Sequence, residues 1–174
     1  DVAAKRIAWT KLINSGQICI APDYVLADAK IRDELVDKIK DAITTFEADN
    51  PAGKRIVNER HFARLTASLA ATKGDVVAGG GSDASNISIQ PTVVVDPDPS
   101  ESLMTDEIFG PILPIVTVQS LDEAIGFVNS RPKPLAAYLF SKTKSVRERV
   151  IKEVAAGGMV INHLLFHFAT NKLP

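Results

Sequence analysis

The sequence lacks the features that identify several large classes of protein. It has a single cysteine, Cys19, among 174 residues, which excludes an internal disulfide and leaves one thiolate for any structural zinc site. The net charge is −1, with 20 basic and 21 acidic residues, so electrostatics favour neither nucleic acid nor an anionic membrane as a partner. No apolar run reaches the roughly 18 residues of a membrane span.

What is present is an ordinary globular composition, 45% hydrophobic and 24% charged. A lone cysteine in a chain of this length is typical of a reducing compartment, and we expect a cytoplasmic location. The first residues, DVAAKR, lack the charged and then apolar layout of a secretion signal. Because the chain does not begin with Met, organelle targeting stays open.

Apolar runs of strand length alternate with amphipathic helical segments along the chain. The predicted helices cover residues 2–13, a long stretch capped by Asp28 and ending before the break at 50–53, a stretch opened by Asn58, and residues 121–130 and 144–156. The predicted strands are residues 24–27, 75–78, 91–95, 112–118, 135–140 and 159–162. Nearly continuous apolar strands between amphipathic helices predict an α/β fold, a three-layer α/β/α arrangement with a largely parallel sheet.

Cys19 ends the stretch NSGQIC, residues 14–19, directly behind the first predicted helix. One interpretation is a small buried hydrophobe, because free cysteines are among the most buried residues. The other is a nucleophile at an element boundary, since a thiolate attacks carbonyl carbons well and backbone N–H groups of a tight loop stabilise the resulting oxyanion. A cysteine hydrolase also needs a histidine base, and the candidates are His61, His163 and His167.

Two further stretches bear on nucleotide binding. In the loop TDEIFGP, residues 105–111, Glu107 offers an acceptor for a ribose hydroxyl and Phe109 offers a flat apolar face for a nicotinamide ring. The alternative is a turn with a packed Phe109 and a solvated Glu107. The glycines at 79–81 formally fit a dinucleotide pattern, but no predicted helix follows them, so we interpret them as a flexible connection between strands.

The segment around Cys19 and the loop of Glu107, taken together, resemble the motifs of a known family. Residues 14–19 (NSGQIC) and 22–26 (PDYVL) are similar to the active-site segment of aldehyde dehydrogenases, and residues 107–114 (EIFGPILP) are similar to the second signature of that family. Segments that resemble the class 3 branch, which acts on fatty and aromatic aldehydes, and its plant-like members are PDY at 22–24, RPKPLAAYLF at 131–140 and the glycine pair before Asn162. The resemblance runs essentially from end to end.

The resemblance implies a role for three residues. Cys19 would attack the aldehyde to form a thiohemiacetal, whose hydride passes to NAD or NADP, and the thioester left behind is hydrolysed to the carboxylic acid. The backbone amide of Cys19 would form half of the oxyanion hole. Glu107 would hold the nicotinamide ribose and Phe109 would pack beside the nicotinamide. No metal is implied.

The resemblance also implies that residues 1–174 are part of a catalytic domain. In the family, the general-base glutamate, the oxyanion-hole asparagine and the Rossmann domain precede the catalytic cysteine, and an oligomerisation segment follows. We therefore expect a longer, homo-oligomeric enzyme with an aldehyde substrate, and an isolated chain that is inactive. Two alternatives stay open: a non-catalytic binding module that uses the apolar residues 164–174, and a thiol esterase that uses Cys19.

Overall fold

The computed structural model describes residues 1–49 and 55–169, which contain both helices and strands. The helices are α1 (Val2–Leu12), α2 (Arg32–Asp49), α3 (Glu59–Ala71), α4 (Ser102–Thr105), α5 (Leu121–Asn129) and α6 (Lys144–Glu153). The strands are β1 (Val25–Asp28), β2 (Asp75–Ala78), β3 (Ser82–Asp83), β4 (Ser88–Ile89), β5 (Thr92–Val95), β6 (Ile112–Val118), β7 (Ala136–Leu139) and β8 (Gly158–Ile161).

The largest sheet has four strands in the order β1-β6-β5-β2. Strand β6 pairs in parallel with β1 on one side and with β5 on the other, with Val25 opposite Ile115 and Val93 opposite Leu113. Strand β2 forms an edge antiparallel to β5. Strands β7 and β8 form a separate parallel pair, and β3 and β4 form a short antiparallel hairpin. The predicted α/β fold with a largely parallel sheet is confirmed.

The four-stranded sheet is covered on both faces, because successive side chains of a strand point to opposite sides. On β5, Val93 and Val95 belong to the core cluster beneath α1 and α2, whereas Val94 packs with Leu65 of α3 on the other face. The fully buried side chains include Ile39 of α2, Leu65 of α3 and Ile115 of β6. This arrangement is the predicted three-layer sandwich of helices, sheet and helix.

The β7–β8 pair has a core of its own, formed with α5 and α6. Ile125, Val150 and Val154 are buried there, and the side chains of Leu139 and Met159 pack against them. None of the helices in residues 1–49 and 55–169 combines the length and the apolar character needed to cross a membrane.

The helix starts show which local predictions hold. Asn58 caps α3 as predicted, since its side chain accepts a hydrogen bond from the His61 N–H at 2.9 Å. Ser120 likewise caps α5 by accepting from the Glu123 N–H at 3.1 Å. The prediction that Asp28 caps the second helix is wrong. Asp28 is the last residue of β1 and accepts from the Lys30 N–H within a turn, and α2 begins at Arg32.

The sequence patterns also missed two short elements. Helix α4 lies between the turn after β5 and the loop of Glu107, and the β3–β4 hairpin lies within the predicted connection between β2 and β5. Both are too short to show a hydrophobic period. The predicted break at residues 50–53 lies outside the described residues, as does the end of the apolar segment 164–174 beyond residue 169.

Candidate active site

The loop before Cys19 has an unusual backbone. After α1, three consecutive residues have left-handed backbone angles: Asn14 at φ 51°, Ser15 at φ 54° and Gly16 at φ 71°. The turn is closed by the Asn14 carbonyl, which accepts from the Gln17 N–H at 3.1 Å and from its Nε2 at 2.9 Å. Cys19 follows this turn and is exposed. The interpretation of Cys19 as a buried hydrophobe is therefore wrong, and its thiol is accessible to a small molecule.

Gln17 fixes this turn to a distant part of the chain. Its side chain is buried, with Nε2 donating to the Arg55 carbonyl at 3.0 Å and Oε1 accepting from the Val57 N–H at 2.7 Å. A buried amide with both ends paired stabilises a single conformation, because leaving either end unpaired is costly. The sequence motif contains Gln17, but its partners gave no sequence signal.

The loop of Glu107 and Phe109 is anchored through the residue between them. Ile108 is buried, its N–H donates to Asp23 Oδ1 at 3.0 Å, and its carbonyl accepts from Arg64 Nη2 at 2.6 Å. Glu107 is exposed and Phe109 is half-buried, with a left-handed φ of 47°. The exposed Glu107 carboxylate is a hydrogen-bond acceptor, and the partly exposed Phe109 ring presents an apolar face, as predicted from the sequence for these two side chains.

The two loops are in direct contact. A Cβ atom added to Gly16 would lie 2.2 Å from the Gly110 carbonyl oxygen, and one added to Gly110 would lie 2.5 Å from Leu65 Cδ1. At Gly16 only glycine permits the approach, because the neighbouring atom belongs to the backbone and φ is +71°, whereas at Gly110 the neighbouring atom is the end of the Leu65 side chain. The structure therefore brings together the segments of Cys19 and of Glu107, which lie far apart in the sequence.

A buried cation lies beneath both loops. Lys11 of α1 is 3% exposed, and its Nζ donates to the Pro22 carbonyl at 2.9 Å. Burial lowers the pKa of Lys11 to about 8, and the nearby carboxylates of Asp23 and Glu107 partly oppose this shift. Lys11 continues the buried stripe of α1 that contains Ala4 and Ile7, so its burial could have been predicted from helical spacing.

The free energy of unfolding is expected to rise at alkaline pH because of Lys11, and Lys11→Met should abolish that rise. The pKa of Lys11 is about 8 in the folded protein and 10.5 ordinarily, so between these values the unfolded chain binds more protons and the free energy of unfolding rises with pH. Below pH 8 the full cost of burying the cation is present, and above 10.5 it is gone. The rise amounts to about 3 kcal/mol at most.

Urea unfolding at about pH 7 and about pH 10 measures this rise, and the difference between variant and parent cancels other titrating groups. Lys5→Met, at an exposed lysine of the same helix, serves as the control and should keep the parent pH dependence. Equal pH dependence in Lys11→Met and the parent would contradict the prediction.

Tyr138 of β7 contacts the segment that follows Cys19. Its hydroxyl donates to the Ile20 carbonyl at 2.7 Å. Burial raises the pKa of Tyr138 to about 12; the Leu165 backbone opposes the shift, and the charge of Cys19 adds to it. The hydroxyl therefore remains a hydrogen-bond donor throughout the physiological pH range. Sequence patterns identified β7 but not this contact, because it joins residues 118 positions apart.

The three histidines make contacts with residues other than Cys19. His61 is half-buried on α3, His163 packs edge-on against Phe166, and His167 packs against the Tyr138 ring. None of the hydrogen bonds among residues 1–49 and 55–169 pairs Cys19 with a histidine, and no three His, Cys, Asp or Glu side chains of those residues cluster as a metal site. The glycines at 79–81 lead from β2 into the β3–β4 hairpin, which confirms the predicted connection.

Comparison with known sequences identifies relatives over the whole chain. Residues 1–173 match the aldehyde dehydrogenase family. Aldehyde dehydrogenase family 3 member A2 of Mus musculus is 47% identical, and the match covers 100% of the chain and 36% of that protein. The dimeric NADP-preferring aldehyde dehydrogenase of Mus musculus is 44% identical, with 100% of the chain and 39% of that protein covered. The chain thus spans somewhat over a third of the length of these relatives.

Solved structures give the same result for the fold. The substrate-bound state of Staphylococcus aureus AldH superposes with a TM-score of 0.94 at 43% identity, over 99% of the chain and 39% of that structure. Lactaldehyde dehydrogenase from Escherichia coli superposes with a TM-score of 0.86 at 27% identity, over 95% of the chain and 37% of that structure.

Proposed function

The chain belongs to the aldehyde dehydrogenase family, and on this premise we propose that it contributes the nucleophile and a cofactor contact to an enzyme that oxidises aldehydes to carboxylic acids. The observation that supports this proposal is the packing of two loops. The exposed Cys19 follows a turn at Gly16 that contacts Gly110, beside the exposed Glu107.

We assign the bond-forming step to Cys19. After loss of its proton, Sγ attacks the aldehyde carbonyl carbon, so a C–S bond forms and the carbonyl π electron pair moves to oxygen, giving the anion of a thiohemiacetal. The Cys19 N–H donates to that oxygen and stabilises its negative charge. After loss of hydride the carbon is a thioester, and attack by water breaks the C–S bond, releases the acid and regenerates the thiol.

The remaining roles concern the cofactor. NAD or NADP accepts the hydride when bound. Glu107 would hold the nicotinamide ribose through its carboxylate, and the Phe109 ring would pack beside the nicotinamide. The exposure of Glu107 and the partly exposed ring of Phe109 fit such a group. We further propose that residues 1–174 are a partial catalytic domain and that the nucleotide-binding domain belongs to another part of a longer protein.

The substrate class and assembly follow from the relatives. We propose a fatty or aromatic aldehyde as substrate, because residues 22–24 and 131–140 resemble the class 3 branch and the similar family 3 member A2 is 47% identical. One relative is described as dimeric and NADP-preferring, which supports a homo-oligomer and a test of both nucleotides. The lone cysteine supports a reducing, cytoplasmic setting.

The isolated 174-residue chain is expected to form no NADH from hexanal or benzaldehyde, since the chain spans 36% of a full-length relative. It should still bind the aldehyde at sulfur. We expect benzaldehyde to slow the alkylation of Cys19 by iodoacetamide in a saturable manner, because a thiohemiacetal has no free thiolate. Intact mass spectrometry follows the alkylation.

Benzyl alcohol is the matched control, since it has the same ring without a carbonyl and should give no protection. NADH formation by the chain alone would contradict the proposed partial domain. Equal alkylation rates with and without benzaldehyde would contradict the proposed nucleophile.

A further inference from the structure

We propose that Asp23 and Arg64 act as positioning residues that clamp the backbone at Ile108. The clamp holds the two side chains on either side of it, Glu107 and Phe109, in the orientation that receives the nicotinamide nucleoside. This inference rests on the proposed function of those two residues, and it assigns to Asp23 and Arg64 no direct contact with the nucleotide.

The two hydrogen bonds fix successive peptide groups. The Ile108 N–H belongs to the peptide that follows Glu107, and Asp23 Oδ1 accepts from it at 3.0 Å. The Ile108 carbonyl belongs to the peptide that precedes Phe109, and Arg64 Nη2 donates to it at 2.6 Å. Both bonds involve an ionised side chain, and such bonds are stronger than those between neutral groups. The orientations of the peptide planes on both sides of Ile108 are therefore fixed.

The clamp joins opposite sides of the site. Asp23 lies four residues after Cys19 and just before β1, whereas Arg64 lies on α3, which covers the other face of the sheet. The Ile108 side chain is 1% exposed and packs in the α3 core cluster. The buried Ile108 side chain thus attaches the loop to the core. The two hydrogen bonds then fix the orientation of the loop backbone around that side chain.

Phe109 shows why such a clamp is needed. Its φ of 47° lies in the left-handed region, which is unfavourable for a residue with a bulky side chain and persists only where the surroundings impose it. Orientation of the preceding peptide determines this φ, and Arg64 holds that peptide by its carbonyl. Without the donor, we expect Phe109 to relax and to move the ring and the Glu107 carboxylate together.

The test uses the full-length enzyme that contains this chain, with NAD+ and NADP+ as the probes. Arg64→Met and Asp23→Ala each remove one side of the clamp and are expected to raise the dissociation constant of the preferred nucleotide about tenfold. The KM of that nucleotide should rise by the same factor, while the KM of the aldehyde should stay within about twofold. Asp23→Asn should restore most of the affinity, because its amide oxygen still accepts from the Ile108 N–H.

Arg60→Met is the matched control, since Arg60 is an exposed arginine one turn earlier on α3, and its nucleotide affinity should equal that of the parent. Thermal unfolding of every variant separates positioning from general loss of structure. Nucleotide affinity that is unchanged in both Arg64→Met and Asp23→Ala would overturn the clamp. A loss of aldehyde and nucleotide affinity in proportion to a lowered melting temperature would also overturn it.

Two further measurements separate this inference from the proposed function. Glu107→Ala should weaken nucleotide binding, and unchanged binding in that variant would overturn the role proposed for Glu107. Amide hydrogen exchange at Ile108 reports the clamp itself. Faster exchange in Asp23→Ala than in the parent supports the clamp whatever Glu107 binds, and equal exchange overturns it.

Discussion

Cys19→Ser in the full-length enzyme is expected to lower the rate of aldehyde oxidation about 10³-fold or more. A serine hydroxyl at this position has the same shape but is a far weaker nucleophile than a thiolate, so the thiohemiacetal does not form at a useful rate. Because Cys19 is exposed in the 174-residue chain, the same substitution in that chain should leave the free energy of unfolding within about 0.5 kcal/mol of the parent. Steady-state NADH formation and urea unfolding measure the two effects.

Nucleotide binding provides the internal control for this variant. Cys19→Ser keeps Glu107 and Phe109, so its dissociation constant for the nucleotide should match that of the parent. A variant that retained more than about a tenth of the parent rate would rule out Cys19 as the nucleophile. A variant that lost activity together with nucleotide binding would indicate a collapsed site instead of a missing thiol.

Gly16→Ala is expected to destabilise the protein by about 3 kcal/mol and to abolish activity. The new Cβ would lie 2.2 Å from the Gly110 carbonyl oxygen, in a backbone conformation at φ 71° that alanine rarely adopts. The loop of Cys19 must then move away from the loop of Glu107. Chemical denaturation measures the stability, and the iodoacetamide reaction of Cys19 reports the changed loop.

A second glycine tests whether the effect belongs to this position. Gly126 lies in α5 with no atom within 4 Å of an added Cβ, so Gly126→Ala should stabilise the protein by about 0.5–1 kcal/mol through helix propensity. Equal effects of the two substitutions would mean that the contact between Gly16 and Gly110 has no energetic importance.

Local patterns predicted most of the secondary structure, and the reason is visible in particular elements. The run at residues 112–118 is nearly all apolar because β6 is a central strand covered on both faces. Asn58 was predicted to open α3 because its side chain satisfies a free N–H at the helix start. In contrast, the pattern could not show that β7 and β8 leave the main sheet, since parallel pairing carries no local sequence signal.

Sequence motifs pointed to the candidate site residues, but they did not point to the residues that hydrogen-bond to the same loops. Cys19, Glu107 and Phe109 lie in short contiguous motifs, and their roles stay predictions. Arg64 contacts the backbone 44 residues away, and a carbonyl oxygen is the same acceptor at every position. No periodicity or spacing therefore distinguishes Arg64 from Arg60, and only the folded chain does.

The hydrogen bond between Asp23 and Ile108 also has a consequence for protein synthesis. It joins residues 85 positions apart, so it cannot form until the whole intervening segment has been synthesised. A nascent chain emerges from the ribosome N-terminus first, so Cys19 emerges well before Gly110. Until the loop of Glu107 emerges, the segment of Cys19 lacks its contact at Gly110, and protection of the thiol from oxidants depends on the surrounding cell.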